Sequence, residues 1–329
     1  MPLENRRETL MAAATLADRL GYDAFFQNET WALDATILLA EAAVTTRRIG
    51  LGTGILGVWN RTAATLAMAA ATLHAMSGGR FTLGLGSSTP QLAEGLHDVP
   101  YVAPIERMRR VVTQVRALLR GERVPLHVAT AGRALKLNVP AAPDLPIGLA
   151  ALNGESVRLA GELADAWLPF LYPWARLGDG MERLREGAAR GGHPDRLPRI
   201  VPSVPAVVAE SAARAREGAA WFVSFYLTTM GPLYRTSLAR QGFQREVDAV
   251  LRAAAGGQKG VVPSGADPLL EQLVVWGTPA EARQRLARWQ GAGADLTVLL
   301  LRPGLGPEEL AFTLQALRPE DDAPGSGPR

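Results

Sequence analysis

Three short stretches hold residue types that do chemistry. Gly52-Thr53-Gly54-Ile55-Leu56-Gly57 matches G-x-G-x-x-G, the spacing that lets a backbone turn approach a pyrophosphate. Asn28-Glu29-Thr30-Trp31 sets a carboxylate beside a hydroxyl just past an apolar run, and Ser87-Ser88-Thr89 lines up three hydroxyls after another. The four histidines, His74, His97, His127 and His193, lack company at metal-ligand spacing, and the chain has no cysteine. Disulfides, thiolate sites and a cysteine nucleophile are therefore excluded, and no metal site is expected. His74 lies inside an apolar helical pattern and reads as structural. His97 follows the hydroxyl triplet closely enough to reach the same place.

The elements that must position these residues alternate along the chain. Residues 5–20 carry Leu10, Ala13, Ala14, Ala17 and Leu20 on one helical face, with Gly21 following as a C-terminal stop. A short strand is expected at 23–27, then a helix capped by Asp34 and running to about Thr46. Residues 49–55 and 81–86 read as strands, 62–77 and 103–120 as helices, and 121–144 as an excursion with a hairpin near Ala131-Gly132. Strands follow at 146–151, 166–170, 200–208 and 296–301. Helices are expected at 155–164 and, opened by Thr278-Pro279-Ala280-Glu281, up to about Gln290. Residues 227–275 break the rhythm as a helical insertion.

Continuous apolar strands alternating with helices predict a parallel sheet covered by helices, and about seven of them favour a closed (β/α)8 barrel. The first strand of that barrel is missing, because the reading begins on a helix. Either the true start codon lies upstream or two strand edges stay unpaired. The barrel is expected to occupy 1–318 as one domain, with 319–329 as a disordered tail of Pro, Gly and acid.

Within that frame the glycine match fails its own test. A dinucleotide turn needs a helix starting inside the motif and an acid about 20 residues on. Here the next helix starts near Thr62, and positions 70–79 hold no acid. Glycines on a barrel strand either bring backbone close to a ligand or relieve crowding in the core.

The chain of 329 residues is 47% hydrophobic and 20% charged with a net charge of +3, which suits a soluble globular protein. Its arginines are interleaved with acids, and Lys136 and Lys259 are the only lysines, so no nucleic-acid stripe is expected. No run of about 18 apolar residues suggests a membrane span, and a cytoplasmic location is expected.

An ordered set of motifs resembles the bacterial luciferase-like flavin or deazaflavin oxidoreductases, most closely the branch using coenzyme F420. It comprises Leu20–Ala24, Ala43–Gly54, Ala70–Leu73, Ser77–Gly86, Ala160–Ala166, Gly277–Glu281 and Gly291–Asp295. The resemblance implies a luciferase-like TIM barrel, commonly a homodimer, that moves a hydride between F420 and a small organic substrate. FMN-dependent monooxygenase activity is the alternative, and a non-catalytic binding or partner barrel is a third reading.

The resemblance further implies a bulge behind the cofactor ring with a non-proline cis peptide, which by position is Gly54–Ile55. It puts cofactor contacts on Asn28, Glu29, Ser87, Ser88 and Thr89, and on Leu152, Asn153 and Gly154. Glu29 and Thr30 stand where the family's catalytic pair stands, with Thr30 replacing a histidine that handles protons. Trp31 and Trp59 follow strand ends, where each either walls a substrate pocket or packs a helix on the barrel.

Overall fold

The computed structural model describes residues 1, 3–129 and 131–319. The barrel wall begins with β1 (Ala24–Asn28), β2 (Gly50–Gly57), β3 (Phe81–Gly86), β4 (Ile147–Leu149), β5 (Ala166–Trp167) and β6 (Arg199–Ile200), all parallel and paired in chain order. It continues through β7 (Ser203–Val208), which a bridge between Phe170 and Ser203 ties to the chain after β5. β7 in turn pairs in parallel with β8 (Val275–Gly277) and β9 (Val298–Leu300). The result is a curled parallel sheet of the TIM-barrel type, open between β1 and β9.

Helices cover the outside. α1 (Arg7–Arg19), α2 (Ala35–Thr45) and α3 (Ala63–Met76) precede β1, β2 and β3 respectively. Each forms for a local reason. Gly21 takes φ 81° after α1, a conformation glycine adopts without steric cost. Asp34 accepts from the amides of Thr36 and Ile37 at the start of α2, and Thr62 accepts from Thr65 N at the start of α3. After β3 come the single turn α4 (Pro90–Ala93) and α5 (Pro104–Leu119), whose Met108, Val111, Val112, Val115, Leu118 and Leu119 are buried at helical spacing.

α6 (Gly154–Leu163) and α7 (Leu177–Arg190) pack closely, with Gly161 and Gly187 each facing the other helix's backbone, where a methyl group would lie about 2 Å from a carbonyl oxygen. α8 (Ala212–Thr228), α9 (Pro232–Leu238), α10 (Gln244–Ala255) and α11 (Asp267–Leu273) share a second apolar cluster around Phe222, Leu227, Leu238 and Leu269. α12 (Pro279–Gly291) starts on the expected Thr278/Glu281 capping box, and α13 (Pro307–Ala316) closes the ring.

The helical insertion is therefore present. The hairpin expected near Ala131-Gly132 is not. Residues 121–145 hold no strand among the described positions, and the backbone bond from Val124 N to Leu135 O is the cross-link between its arms. Leu126, Val128 and Leu135 stay exposed there, with no sheet to bury them. The end of the expected tail, 320–329, lies outside the described residues. α7, α8 and α13 were not anticipated from the sequence.

Candidate active site

The strand β2 departs from regular pairing where its glycines lie. Gln27 faces Thr53 but Asn28 faces Ile55, so Gly54 is an extra residue, a bulge. The β2–β3 register jumps correspondingly, from Gly52 opposite Thr82 to Leu56 opposite Leu85. Thr53 repairs the gap with its hydroxyl, which donates to Gly84 O at 2.8 Å and accepts from Gly84 N at 2.7 Å.

The glycines answer to crowding. A Cβ on Gly52 would lie 2.4 Å from the Phe26 ring, and one on Gly54 would lie 1.8 Å from Asn28 Oδ1. The expected cis bond is corrected: no cis peptide occurs among the described residues, so Gly54–Ile55 is trans. α3 starts only at Ala63, so the dinucleotide geometry is absent too.

Past the bulge, Ile55 points into the barrel beside Leu168 and Val201. Above it the C-terminal ends of β1, β2 and β3 enclose a small cleft. Glu29, Thr30, Ile55, Trp59 and Ser88 line it together with Gly57, Asn60, Leu92, Ala93 and His97.

Glu29 is the hub beneath the cleft. Its Oε1 accepts from Asn60 Nδ2 at 2.9 Å and from Arg61 Nη1; its Oε2 accepts from Arg61 Nη2 at 2.8 Å and from Ala35 N at 3.1 Å. A carboxylate offers about four acceptor positions, and all are used. The side chains of Glu29 and Arg61 are only 10% and 13% exposed. Arg61 Nη2 also reaches Asp34 at 2.6 Å, joining the cleft to the cap of α2. Burial works to raise the Asp34 carboxyl, but the Thr36 hydrogen bonds and the Arg61 charge bring it below its ordinary value. Hydrogen bonding to Glu29 holds the Arg61 guanidinium above its own.

Two features mark the cleft as more than packing. Asn60 Oδ1 is buried without a hydrogen-bond partner, a costly state unless something donates to it. Ser88 sits at φ 57°, a left-handed conformation that costs a non-glycine residue about 1–3 kcal/mol and persists only where neighbours enforce it. Here Trp59 Nε1 donates to Ser87 O at 2.7 Å and Tyr101 Oη to Ser88 O at 3.4 Å. Trp59 is itself buried, with the Tyr101 ring 5.0 Å away and the Arg107 guanidinium 4.7 Å above it. It therefore does both things open to it, lining the cleft and packing the wall.

The other expected residues fall elsewhere. Trp31 is 46% exposed and does not line the cleft, a correction explained by the bend at Thr30–Leu33 that turns it outward. Asn28 packs under the bulge against Gly54. Ser87 serves through its carbonyl, and Thr89 is buried at the start of α4. Leu152, Asn153 and Gly154 form the turn after β4, where Asn153 and Ser156 make a complete capping box for α6. A Cβ on Gly154 would lie 3.1 Å from Arg158 Nη1 and 3.3 Å from Arg183 Nε.

Asn60, Arg61, Gly57, Leu92 and Ala93 were missed in the sequence. Asn60-Arg61 stands directly between a strand end and the Thr62 cap, a position that would have flagged it. Among the described residues no group of three or more His, Asp or Glu side chains is placed to hold a metal, and no helix is long and apolar enough to cross a membrane.

Comparison with known proteins agrees with this geometry. Residues 3–296 match the family model of the luciferase-like monooxygenases. A Mycobacterium tuberculosis (strain ATCC 25618 / H37Rv) protein, whose name assigns it provisionally to the coenzyme F420-dependent oxidoreductases, is 32% identical over 324 residues, covering 91% of both chains. Among solved structures, the coenzyme F420-dependent tetrahydromethanopterin reductase of Methanopyrus kandleri superposes with a TM-score of 0.77 at 19% identity, over 96% of this chain and 95% of that one. The FMN-bound oxygenating constituent of 3,6-diketocamphane monooxygenase from Pseudomonas putida gives 0.71 at 17%, over 95% and 92%. At these identities the two structures speak for the barrel alone. The family match spans most of the chain, and with it the chain belongs to the luciferase-like monooxygenase family.

Proposed function

We propose that this protein is an F420-dependent oxidoreductase that moves a hydride between the deazaflavin and a small organic substrate at the cleft over β1–β3. The observation that carries F420 ahead of FMN is the 32% identity across 91% of both chains with a relative named for F420. The residues at the cleft suit a ring with hydrogen-bonding edges. Asn60 Oδ1 offers a buried acceptor, the bulge at Gly54 presents Ile55 as an apolar floor, and Gly57 leaves the wall low. When bound, the cofactor supplies the hydride chemistry, and the protein supplies orientation and a dry enclosure.

Each residue then has a task. Asn60 accepts from the ring edge. Glu29 and Arg61 hold Asn60 in place, so Glu29 positions and does not exchange protons. Thr30 is a poor acid or base near neutrality, whereas histidine is the side-chain type that exchanges protons there. His97 also lines the cleft, and we assign it the proton exchange. Leu92, Ala93 and His97 close the cleft from the α4 side, so this segment shifts outward to admit the ring. The turn of Leu152, Asn153 and Gly154 contributes the amides at the start of α6, beside Arg158 and Arg183, to an anionic part of the cofactor. Ser87, Ser88 and Thr89 border the ring with backbone and hydroxyl groups.

The likeness to an FMN-bound monooxygenase favours a second reading, FMN in the same cleft. Separate titrations with F420 and FMN decide between them. Saturable F420 binding is expected. Micromolar FMN binding without F420 binding overturns the first reading, and binding of neither leaves a non-catalytic barrel. We also assign a homodimer contact to the outer faces of α2 and α3, where Ile37, Val44 and Met68 are exposed. Ile37→Asp is expected to yield monomers by light scattering, whereas an unchanged mass removes that assignment. A cytoplasmic location suits the cysteine-free composition.

A further inference from the structure

The cleft over β1–β3 is shut. Its free volume is about 10 Å³, room for one water molecule and far below what a flavin or deazaflavin ring needs. One segment shuts it, residues 88–103, which carries Leu92, Ala93 and His97. That segment is bonded as a single body. The backbone donors from Leu92 to Val99 reach carbonyls of residues 89–93. Tyr101 N donates to Glu94 Oε1 at 3.0 Å, and Tyr101 Oη to Ser88 O at 3.4 Å. Among the described residues no hydrogen bond ties 89–102 to the barrel, so the segment can swing without breaking one. Packing holds it down, through the Tyr101 ring on Trp59 and the buried Ala93.

Both ends of the segment stand in left-handed conformations. Ser88 has φ 57°, and Ala103 has φ 48° and ψ 61°. Five non-glycine residues have positive φ among those described, and Asp98 puts a third of them in this one segment. Ala103 is the least expected. It precedes Pro104, where sterics favour extended backbone, and it starts α5 without a side-chain cap. Hinges are a few terminal residues that absorb a change in φ and ψ, and strain at such points biases a switch.

The helical insertion reaches across to the same segment. Gly231, at φ 80° in the turn between α8 and α9, lies against the Gln91 side chain of α4. A Cβ on Gly231 would lie 2.4 Å from Gln91 Oε1 and 2.8 Å from its Nε2.

We propose that residues 88–103 are a gate over the cleft, hinged at Ser88 and Ala103 and latched by the insertion through Gly231 on Gln91. Opening returns both hinges to extended backbone and frees the space that a cofactor ring then fills. The latch and the Tyr101–Trp59 contact oppose it. Cofactor binds the open state alone, so its association rate and apparent affinity scale with the open fraction. The gate's purpose rests on the reading of this cleft as the cofactor's place, but its motion does not, and the two are tested apart.

Two measurements test it. Double electron–electron resonance between nitroxides on Leu96→Cys and Leu233→Cys reads the distance from gate to insertion; both positions are exposed and the chain has no other thiol. Without any cofactor, two distances are expected. Ala103→Gly accepts the left-handed conformation freely and should raise the ratio of short to long at least threefold. Gln91→Ala removes the latch and should lower it at least threefold. A single distance that neither variant shifts overturns the proposal, whether or not F420 binds. The second measurement is stopped-flow association of F420, expected to be at least threefold slower in Ala103→Gly and at least threefold faster in Gln91→Ala. Association at the parent rate in both variants overturns the proposal. Binding of no cofactor would sink the reading of the site and leave the distances to decide the gate.

Discussion

The ends of β1–β3 and the turn after β4 were expected to do the same job, and the structure builds them differently. Over β1–β3 a buried carboxylate is saturated by four donors, an amide oxygen is left without one, and a serine is held in a left-handed conformation. After β4, Asn153 and Ser156 satisfy each other in a capping box, and Arg158 is neutralised by Glu155 and Glu186. Unmet capacity and strain are what a ligand relieves. The first region is therefore the one to which we assign the chemistry, and the second offers backbone amides.

Removing the charge partner should separate the regions most. Arg61→Ala leaves Glu29 buried and unpaired, and a loss of about 3–5 kcal/mol in denaturant-derived stability is expected. Arg158→Ala, at the β4 turn, breaks pairs with acids that are more than half exposed and should leave the same measurement nearly unchanged. Equal losses would erase the distinction.

Next comes the proton-handling residue. His97→Gln should lower kcat by about a hundredfold or more, with little change in cofactor affinity. An unchanged kcat would return the proton to solvent or substrate.

Glycine substitutions sharpen the contrast in packing. Gly54→Ala drives a methyl group to 1.8 Å from Asn28 Oδ1 and should cost about 1–3 kcal/mol through forced rearrangement. Gly154→Ala meets only the far ends of two arginines, at 3.1 and 3.3 Å, and should fall within about 0.5 kcal/mol. Thermal melts compare the pair.

Acid gives the smallest effect. The Asp34 carboxyl lies below its ordinary value of 3.8 in the folded chain. Its contribution is therefore present above that pH and is lost as the pH falls through the lowered folded value. Asp34→Asn should remove that part of the acid dependence in pH-resolved melts.

The barrel was legible because its strands are continuous apolar runs and its helices carry their own stop and start residues, Gly21, Asp34, Thr62 and Thr278. The bulge followed from the glycines, although what needs them is neighbouring side chains. Nothing in the local sequence records that Phe26 and Asn28 press on Gly52 and Gly54, because that contact is between strands. Glu29 was found by its place after a strand. Its partner Arg61 lies 32 positions on, a separation with no periodic signature. Trp31 follows a strand end as Trp59 does, but the bend at Thr30–Leu33 turns it outward. The hairpin expected near Ala131-Gly132 does not form among the described residues, because no sheet lies there to pair with its arms.

The central claim is that the cleft over β1–β3 receives F420, with Asn60 as the buried acceptor. It is tested most directly by titrating F420 into the protein and into Asn60→Ala, with FMN as competitor. Saturable one-to-one binding that FMN does not displace, weakened about tenfold in Asn60→Ala, is the predicted result. Micromolar binding of FMN with none of F420, or F420 binding indifferent to Asn60, would contradict it.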